Sequence, residues 1–151
     1  MKIELTTPIS DDEIKKLHVG DTVLLSGVMI TGRDAAHKWI VDNFVHTTKE
    51  PSKEDQKIFE EIKPILDGGL IYHCGPVVAG LETKEYRFVA AGPTTSIREE
   101  PYQADVMRLF NLKGVIGKGG MAGKTLKSLS GSHCTSSILV PGINNFKILR
   151  K

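Results

Sequence analysis

The chain has 151 residues, of which 40% are hydrophobic and 25% are charged, enough for one ordinary globular core and too few for two domains. Twenty Lys and Arg residues against 18 Asp and Glu residues leave a net charge of +2, and neither sign forms a long block. We therefore expect no nucleic-acid partner. No apolar run approaches the roughly 18 residues of a membrane helix, so we expect no membrane insertion and a cytoplasmic location.

The first third of the chain alternates strand and helix signals. Residues 2–6 predict a short strand, and Ser10 with Glu13 three residues later forms a capping box ahead of a short helix. Residues 21–30 are largely apolar and predict one buried strand with a kink or bulge at Gly27.

An arginine directly precedes the second predicted helix. Asp34 is expected to cap this helix, which places Arg33 beside the free backbone N–H groups of its first turn. A guanidinium beside such donors suits a carboxylate or a phosphate. The alternative is a surface ion pair of Arg33 with Asp34 or another neighbour. His37, one turn farther along, is expected to have a structural or supporting role.

The middle of the chain predicts a helix followed by a strand. Residues 58–66 have helical periodicity, and Pro64 is expected to kink or shorten the helix. Residues 70–74 predict a strand that residues 77–81 are expected to continue.

The two cysteines do not suggest a metal site in this chain. Cys74 and Cys134 match no ligand spacing for zinc or a ferredoxin-type cluster. Cys74 and His73 are adjacent on the predicted strand and face opposite sides, so they do not easily share one metal. We expect reduced thiols and no metal bound by this chain alone.

The functional interpretation depends most on Gly92-Pro93-Thr94-Thr95-Ser96-Ile97-Arg98. This segment follows the apolar run 88–91 and leads into a helix predicted to begin near Glu99-Glu100-Pro101. Three hydroxyls and an arginine between a strand end and a helix start place several kinds of donor at one point. The pattern predicts an anion-binding turn whose hydroxyls can also act in proton transfer.

Two further motifs contain a lysine. Residues 114–116 predict a short strand that opens into Gly117-Lys118-Gly119-Gly120, where glycines permit close approach of a ligand and Lys118 supplies charge. The alternative is a flexible loop with a solvated lysine. Gly123-Lys124-Thr125 resembles the end of a nucleotide-binding P-loop, but Lys118 stands where that pattern requires glycine. Nucleotide binding is therefore only a minor alternative.

Arg33, Arg98 and Lys118 each follow an apolar segment at a strand-to-loop junction. If the three loops meet at one edge of the sheet, they form a cationic pocket with the hydroxyls of Thr94 and Thr95. Desolvating a dicarboxylate costs several kcal/mol per charge, whereas each close opposite charge returns about 4 kcal/mol at an effective dielectric constant of roughly 20. The pocket therefore suits a small molecule with two carboxylates.

Together these motifs resemble the β subunit of class I iron–sulfur fumarate hydratases, which corresponds to the C-terminal domain of the single-chain enzymes. L-tartrate dehydratase has a similar β subunit. From about residue 8 to about residue 129, the resemblance is carried by Ser26-Gly27, residues 31–38, Gly75-Pro76-Val77-Val78, residues 91–98 and Gly117-Lys118-Gly119. It implies an α/β fold of the three-layer swivelling β/β/α type, with mixed sheet and flanking helices. Residues 1–129 would be the catalytic domain and residues 130–151 a divergent C-terminal tail.

The resemblance also implies an activity and a partner. The expected enzyme is a hydro-lyase that reversibly hydrates fumarate to L-malate, a reaction of the tricarboxylic acid cycle; an L-tartrate dehydratase is the alternative. In that family three cysteines of the α part bind a four-iron four-sulfur cluster, and this chain has only two. The cluster would therefore be held by an α subunit and not by this chain, in a hetero-oligomer that is active only when the α subunit is present.

Roles for five residues follow from the resemblance. Arg33, Arg98 and Lys118 would clamp the substrate carboxylates. Thr94 would act in proton transfer at the carbon beside a carboxylate, paired with an aspartate of the α subunit, and Thr95 would hold the substrate by its hydroxyl or backbone. Thr94, Arg98 and Lys118 are thus the expected catalytic residues.

Two departures from the family pattern bear on these roles. Relatives commonly have methionine after the arginine, whereas Glu99 and Glu100 follow Arg98 here and are expected to neutralise it in part. The tail from residue 130 also does not resemble the family. A non-catalytic subunit that still binds small anions or an α chain is therefore an alternative of a different class.

Overall fold

The structure is a computed structural model that describes residues 2–18, 20–83, 85–118 and 121–130 and a strand at 138–139. Its elements in chain order are β1 (Lys2–Thr6), α1 (Asp11–Lys15), β2 (Thr22–Ser26), β3 (Ile30–Thr31), α2 (Asp34–Phe44), α3 (Lys53–Leu66), β4 (Leu70–Tyr72), β5 (Val77–Ala79), β6 (Arg87–Ala90), a 3-10 helix (Ile97–Glu99), α4 (Glu100–Leu109), β7 (Gly114–Ile116), α5 (Gly123–Ser130) and β8 (Ile138–Leu139). The predicted α/β class with mixed strand directions and flanking helices is confirmed. The capping box of Ser10 and Glu13 is present at α1.

The largest sheet is parallel, with strand order β3-β4-β7-β8. Ile71 of β4 lies between Ile30 of β3 and Val115 of β7. Strands β1 and β2 pair in parallel, and β5 pairs with β6 in an antiparallel arrangement. Because parallel strands point the same way, the loops after β3, β4 and β7 leave the largest sheet at the same edge.

The stretch 21–30 does not form the single strand that its apolar content predicts. It divides into β2, which pairs with β1, and β3, which pairs with β4 in a different sheet. Gly27 between them has a φ of 107° and lies so close to Thr7 that any Cβ at this position would overlap the Thr7 side chain. The glycine therefore ends one strand and redirects the chain instead of bulging a continuous strand.

Residues 77–81 were expected to continue the strand at 70–74, and this prediction is also wrong. The chain turns at Gly75-Pro76, and β5 pairs with β6 to form a separate two-stranded hairpin. Periodicity cannot distinguish a continued strand from a new one when both are apolar.

Two apolar clusters cover opposite faces of the largest sheet. On one face α2, α3 and α4 pack around Ile71, with Ile40, Leu66 and Met107 buried. On the other face residues of β1 and α1 pack against Leu70 and Tyr72, consistent with the alternation of side chains along a strand. None of the helices within the described ranges is long and apolar enough to cross a bilayer.

The helix α5 follows the glycine-rich loop and is held by a carboxylate from α4. Glu100 Oε1 accepts hydrogen bonds from the backbone N–H groups of Lys124 (2.9 Å) and Thr125 (3.0 Å). Its Oε2 accepts from Ala122 N (2.9 Å) and Thr125 Oγ1 (2.6 Å). These are the donors that a phosphate would need at Gly123-Lys124-Thr125, so the structure gives no support to nucleotide binding at this motif.

We expect Glu100→Ala to lower the free energy of unfolding by about 2–3 kcal/mol, because several donors at the start of α5 lose a charged acceptor. Urea titration monitored by circular dichroism measures the loss. Glu100→Gln, which keeps one acceptor oxygen, should lose less. Equal stability of Glu100→Ala and the unaltered chain would contradict this account of α5.

Candidate functional site

The predicted site residues lie at the edge of the largest sheet where β3, β4 and β7 end. The strand β3 leads into Arg33, β4 into His73 and β7 into Lys118. The turn that follows β6 joins them, because the Thr94 N–H donates to the His73 carbonyl at 2.7 Å. In open parallel sheets ligands bind outside the carboxyl ends of the strands, and this edge is such a position.

Arg33 is the residue that precedes the first turn of α2, and its side chain is half-buried. It packs over Gly75, since a Cβ at that glycine would lie 3.4 Å from Arg33 Cδ. Arg33 Nε is buried and has no hydrogen-bond partner among the described residues. Such a donor is costly unless a ligand or another chain satisfies it.

Asp34 does not act as the predicted side-chain cap of α2 but is the first residue of the helix. Its Oδ2 lies 3.0 Å from Arg98 Nε, and this ion pair explains why the carboxylate does not turn back to the helix. The surface pair of Arg33 with Asp34 is therefore not formed. Asp34 instead links the loop after β3 to the turn that carries Arg98.

Among the contacts of the described residues, neither of the two glutamates that follow Arg98 forms an ion pair with it, although Arg98 still favours the ionised form of Glu99. Glu100 is turned toward α5, as described above, and Glu99 points into the protein and is fully buried. The side chain of Arg98 is 67% exposed, and its guanidinium forms an ion pair with Asp34. An exposed pair of this kind is weak, so the guanidinium can be recruited by a ligand carboxylate.

The two threonines of the turn differ in their surroundings. Thr94 Oγ1 is buried without a hydrogen-bond partner among the described residues. Thr95 Oγ1 accepts from the Lys118 N–H at 3.0 Å and lies 3.1 Å from His73 Nδ1. Thr95 therefore ties the turn to the ends of β4 and β7, whereas the hydroxyl of Thr94 makes no such contact with the described residues.

The contacts of Thr95 with Lys118 and His73 explain why residue 117 is a glycine. A Cβ at Gly117 would overlap Thr95 Oγ1 and lie 3.2 Å from His73 Nδ1. The glycine therefore allows Thr95, and not necessarily a ligand, to approach the backbone closely. The next residue, Lys118, is exposed, while Gly119 and Gly120 lie outside the described residues.

A buried polar cluster behind the site was not predicted as a unit. His37, His73, Glu99 and Gln103 are all 0% exposed. His73 Nε2 lies 2.7 Å from Gln103 Oε1, and His73 Nδ1 lies 3.2 Å from Glu99 Oε2. One signal could have indicated it: Glu99 and Gln103 are spaced i, i+4, and Gln103 shares its helix face with Val106 and Met107.

Burial shifts the pKa values of this cluster toward the neutral forms. It lowers the pKa of His73 to about 4, with a further contribution from His37. It also lowers the pKa of His37, whose Nδ1–H donates to the Arg33 carbonyl at 2.8 Å. Burial raises the pKa of Glu99. The expectation that His37 has a structural role agrees with its place under Arg33.

The described residues do not offer a site for an iron–sulfur cluster. Cys74 is a free thiol buried against apolar side chains, and Cys134 lies outside the described residues. Within the described part of the chain, no group of three His, Cys, Asp or Glu side chains is placed to hold a metal ion. No chemical step is therefore assigned to a cluster held by these residues.

Comparison with known proteins places this sequence in a family. Residues 1–142 match the family described as Fumarase C-terminus. The chain is 44% identical over 127 residues to a protein of Geobacillus stearothermophilus named "Putative fumarate hydratase class I", a match that covers 84% of this chain and 21% of the relative. It is 35% identical over 121 residues to the L(+)-tartrate dehydratase subunit beta of Escherichia coli (strain K12), covering 80% of this chain and 52% of the relative.

These matches confirm the resemblance that the linked motifs indicated. The chain spans about half the length of the tartrate dehydratase subunit and about a fifth of the fumarate hydratase relative. The family match covers most of the chain, including the whole described site. The chain therefore belongs to the Fumarase C-terminus family.

Proposed function

We propose that this chain is the β-type part of a hydro-lyase that reversibly hydrates fumarate to L-malate. The observation that supports it best is the convergence of the loops carrying Arg33, Arg98 and Lys118 at one sheet edge, beside the unpaired hydroxyl of Thr94. Membership of the family and the name of the Geobacillus stearothermophilus relative point to the same reaction.

The chemistry of the reaction accounts for the cations. Removing a proton from the carbon beside a carboxylate produces an enolate-like group with additional negative charge. Arg33, Arg98 and Lys118 would bind the carboxylates and stabilise that charge, and the loss of one such preorganised donor typically costs about 3 kcal/mol. The buried Nε of Arg33 is a donor of this kind.

The family resemblance implies that Thr94 transfers the proton, and its hydroxyl is buried and unpaired among the described residues. A threonine hydroxyl is a poor base on its own. We therefore propose that an acidic side chain of an α part completes the proton transfer. Thr95, whose Oγ1 is engaged with the ends of β4 and β7, would hold the substrate through its hydroxyl hydrogen or its backbone.

We propose, from the family resemblance, that the α part holds the four-iron four-sulfur cluster; the described residues of this chain provide no ligand set for it. The name "subunit beta" of the tartrate dehydratase relative is consistent with a partner chain. We accordingly propose a hetero-oligomer.

The division at residue 129 and the cytoplasmic location remain predictions. The helices on one sheet face and β1 and β2 on the other support the three-layer swivelling arrangement.

The hairpin of β5 and β6 is the surface we propose for the α part. Several of its apolar side chains are more than half exposed, among them Val77 (57%), Phe88 (52%) and Val89 (61%), and large apolar side chains exposed together on one element are typical of interaction sites. The strand β6 leads directly into the turn that carries Thr94. A partner seated on this hairpin would therefore reach the site, and the relatives contain a long additional stretch of polypeptide beyond the matched segment.

We expect Phe88→Ser to weaken association with the α part by about tenfold or more, which corresponds to about 1.4 kcal/mol. Isothermal titration calorimetry with the purified α part measures the affinity. Ile58→Ser is the matched control, because Ile58 is also exposed (42%) but lies on α3. Equal affinity of Phe88→Ser and the unaltered chain would place the interface elsewhere.

A second candidate is the dehydration of L-tartrate, favoured by the 35% identity to the tartrate dehydratase subunit. Both substrates carry two carboxylates, so the cationic edge does not discriminate between them. Comparing fumarate hydration with L-tartrate dehydration by the same complex decides between the two candidates.

The proposed function is tested by mixing the chain anaerobically with a cluster-loaded α part. We expect fumarate hydration in the mixture and none with either chain alone. Faster turnover of L-tartrate would favour the second candidate. Tight association without either activity would favour a non-catalytic subunit.

A further inference from the structure

The donor and acceptor roles around His73 can be assigned from its contacts. Gln103 Oε1 is an acceptor and lies 2.7 Å from His73 Nε2, so Nε2 carries a hydrogen. In a neutral imidazole the other nitrogen, Nδ1, is then an acceptor. A doubly protonated His73 would place a charge in a position that is 0% exposed, which burial strongly disfavours.

His73 Nδ1 has two neighbours that could supply a hydrogen. Thr95 Oγ1 lies at 3.1 Å and Glu99 Oε2 at 3.2 Å. An ionised Glu99 would turn an acceptor oxygen toward the lone pair of Nδ1, with both groups fully buried. A protonated Glu99 would instead donate to Nδ1 and satisfy both atoms.

The surroundings of Glu99 contain charges of both signs. Arg33 and Arg98 favour its ionised form, Asp34 favours the neutral form, and the Ser96 N–H donates to Oε2 at 3.2 Å. Burial is the largest influence and raises the pKa of Glu99. Glu99 Oε1 has no partner among the described residues, which an ionised carboxylate in a buried position would require.

We propose that Glu99 is a neutral carboxylic acid that donates to His73 Nδ1 and thereby frees the hydroxyl hydrogen of Thr95 for a ligand carboxylate. Thr95 Oγ1 already accepts from the Lys118 N–H, so its own hydrogen goes to His73 Nδ1 or to a ligand. The Glu99 proton decides between these two. Glu99 is thus a positioning residue that acts through His73.

The first test measures the protonation states of Glu99 and His73 in the chain without the α part. An infrared difference spectrum between the unaltered chain and Glu99→Gln at pH 7 should contain the carbonyl stretch of a protonated carboxylic acid. The nitrogen-15 spectrum should show His73 with a hydrogen on Nε2 and none on Nδ1. A carboxylate band for Glu99, or a doubly protonated His73, would overturn the proposal.

The second test uses the pH dependence of thermal unfolding. The pKa of His73 is lowered from 6.5 to about 4, so the stability it contributes is present above pH 6.5 and is lost as the pH falls toward 4. The pKa of Glu99 is raised from 4.5, so its contribution is present below pH 4.5 and is lost as the pH rises through the folded-state pKa. Between pH 4.5 and 6.5 the pH dependence of stability that His73 contributes is therefore opposite in sign to the one that Glu99 contributes.

Glu99→Gln removes only the pH dependence of stability that Glu99 contributes. Its melting temperature should therefore fall more steeply than that of the unaltered chain as the pH is lowered from 6.5 to 4.5. Parallel curves for the two proteins would show that Glu99 is ionised in the folded chain, and would overturn the proposal.

The third test concerns the substrate and rests on the proposed function. Glu99→Gln keeps a donor to His73 Nδ1 in its amide, whereas Glu99→Met has none. In the complex with the α part, KM for fumarate should be about tenfold higher in Glu99→Met than in Glu99→Gln, the effect of one hydrogen bond to a charged group. Equal KM values for the two variants would show that Glu99 does not act on the substrate through His73 and Thr95. If the unaltered complex is inactive, the proposed function fails, while the spectra and melting curves still decide the state of Glu99.

Discussion

We expect Thr94→Val to lower fumarate hydration by the complex with the α part at least about 100-fold, because general acid–base groups typically contribute a factor of 10²–10⁴. The stability of the chain should be unchanged or slightly higher. Thr94 Oγ1 is buried without a partner among the described residues, and valine replaces it with a methyl group of the same shape. Steady-state rates and urea titration measure the two effects.

Thr95→Val is the matched control for this substitution. It removes the acceptor of the Lys118 N–H and the contact with His73 Nδ1, so we expect a loss of about 1–2 kcal/mol in the free energy of unfolding. Thr94→Val should therefore lower the rate of hydration without lowering the free energy of unfolding, whereas Thr95→Val should lower the free energy of unfolding as well. A destabilised Thr94→Val with near-normal turnover would reverse these assignments.

Arg98→Ala should lower kcat/KM for fumarate by about 100-fold, the effect of losing one preorganised donor to a developing negative charge. The chain itself should keep its stability within about 1 kcal/mol, because the pair of Arg98 with Asp34 is exposed at the arginine. Kinetics of the complex and thermal unfolding of the chain measure the two quantities.

Arg108→Ala provides a control with the same change of charge. Arg108 is also an exposed arginine paired with an aspartate, Asp105, but it lies near the end of α4. It should leave kcat/KM within about twofold of the unaltered complex, because surface substitutions away from a site have small effects. Similar losses for Arg98→Ala and Arg108→Ala would show that net charge, and not the position of Arg98, matters.

The meeting of the loops that carry Arg33, Arg98 and Lys118 at one sheet edge could be predicted because it depends on chain direction more than on side-chain detail. Apolar segments that each end before Arg33, Arg98 or Lys118 indicated strand-to-loop junctions, and parallel pairing of β3, β4 and β7 brings two of those junctions to one edge. The third arrives through the bond between Thr94 N and the His73 carbonyl, which no local pattern indicates.

The partners of the acidic residues could not be predicted from local sequence. Asp34 looks like a helix cap, but Arg98, distant in sequence, is its partner. Glu99 and Glu100 look like an exposed charged pair, yet one is buried beside His73 and the other binds the start of α5. Each choice depends on which elements the fold brings together.

Short strands also limited how much of the fold could be predicted from the sequence. The strand β3 has two residues, too few for any periodicity, and it follows β2 after only three residues. The division at Gly27 depends on contact with Thr7 across the sheet of β1 and β2. A local pattern therefore predicts the apolar content of this stretch but not its division between two sheets.

A crystal structure of the complex with the α part and a bound dicarboxylate would test the central proposal most directly. We expect the two carboxylates to contact the guanidinium groups of Arg33 and Arg98 and the ammonium group of Lys118, with Thr94 Oγ1 beside the carbon next to one carboxylate. A dicarboxylate bound at another place, with these four side chains facing solvent, would contradict the proposal.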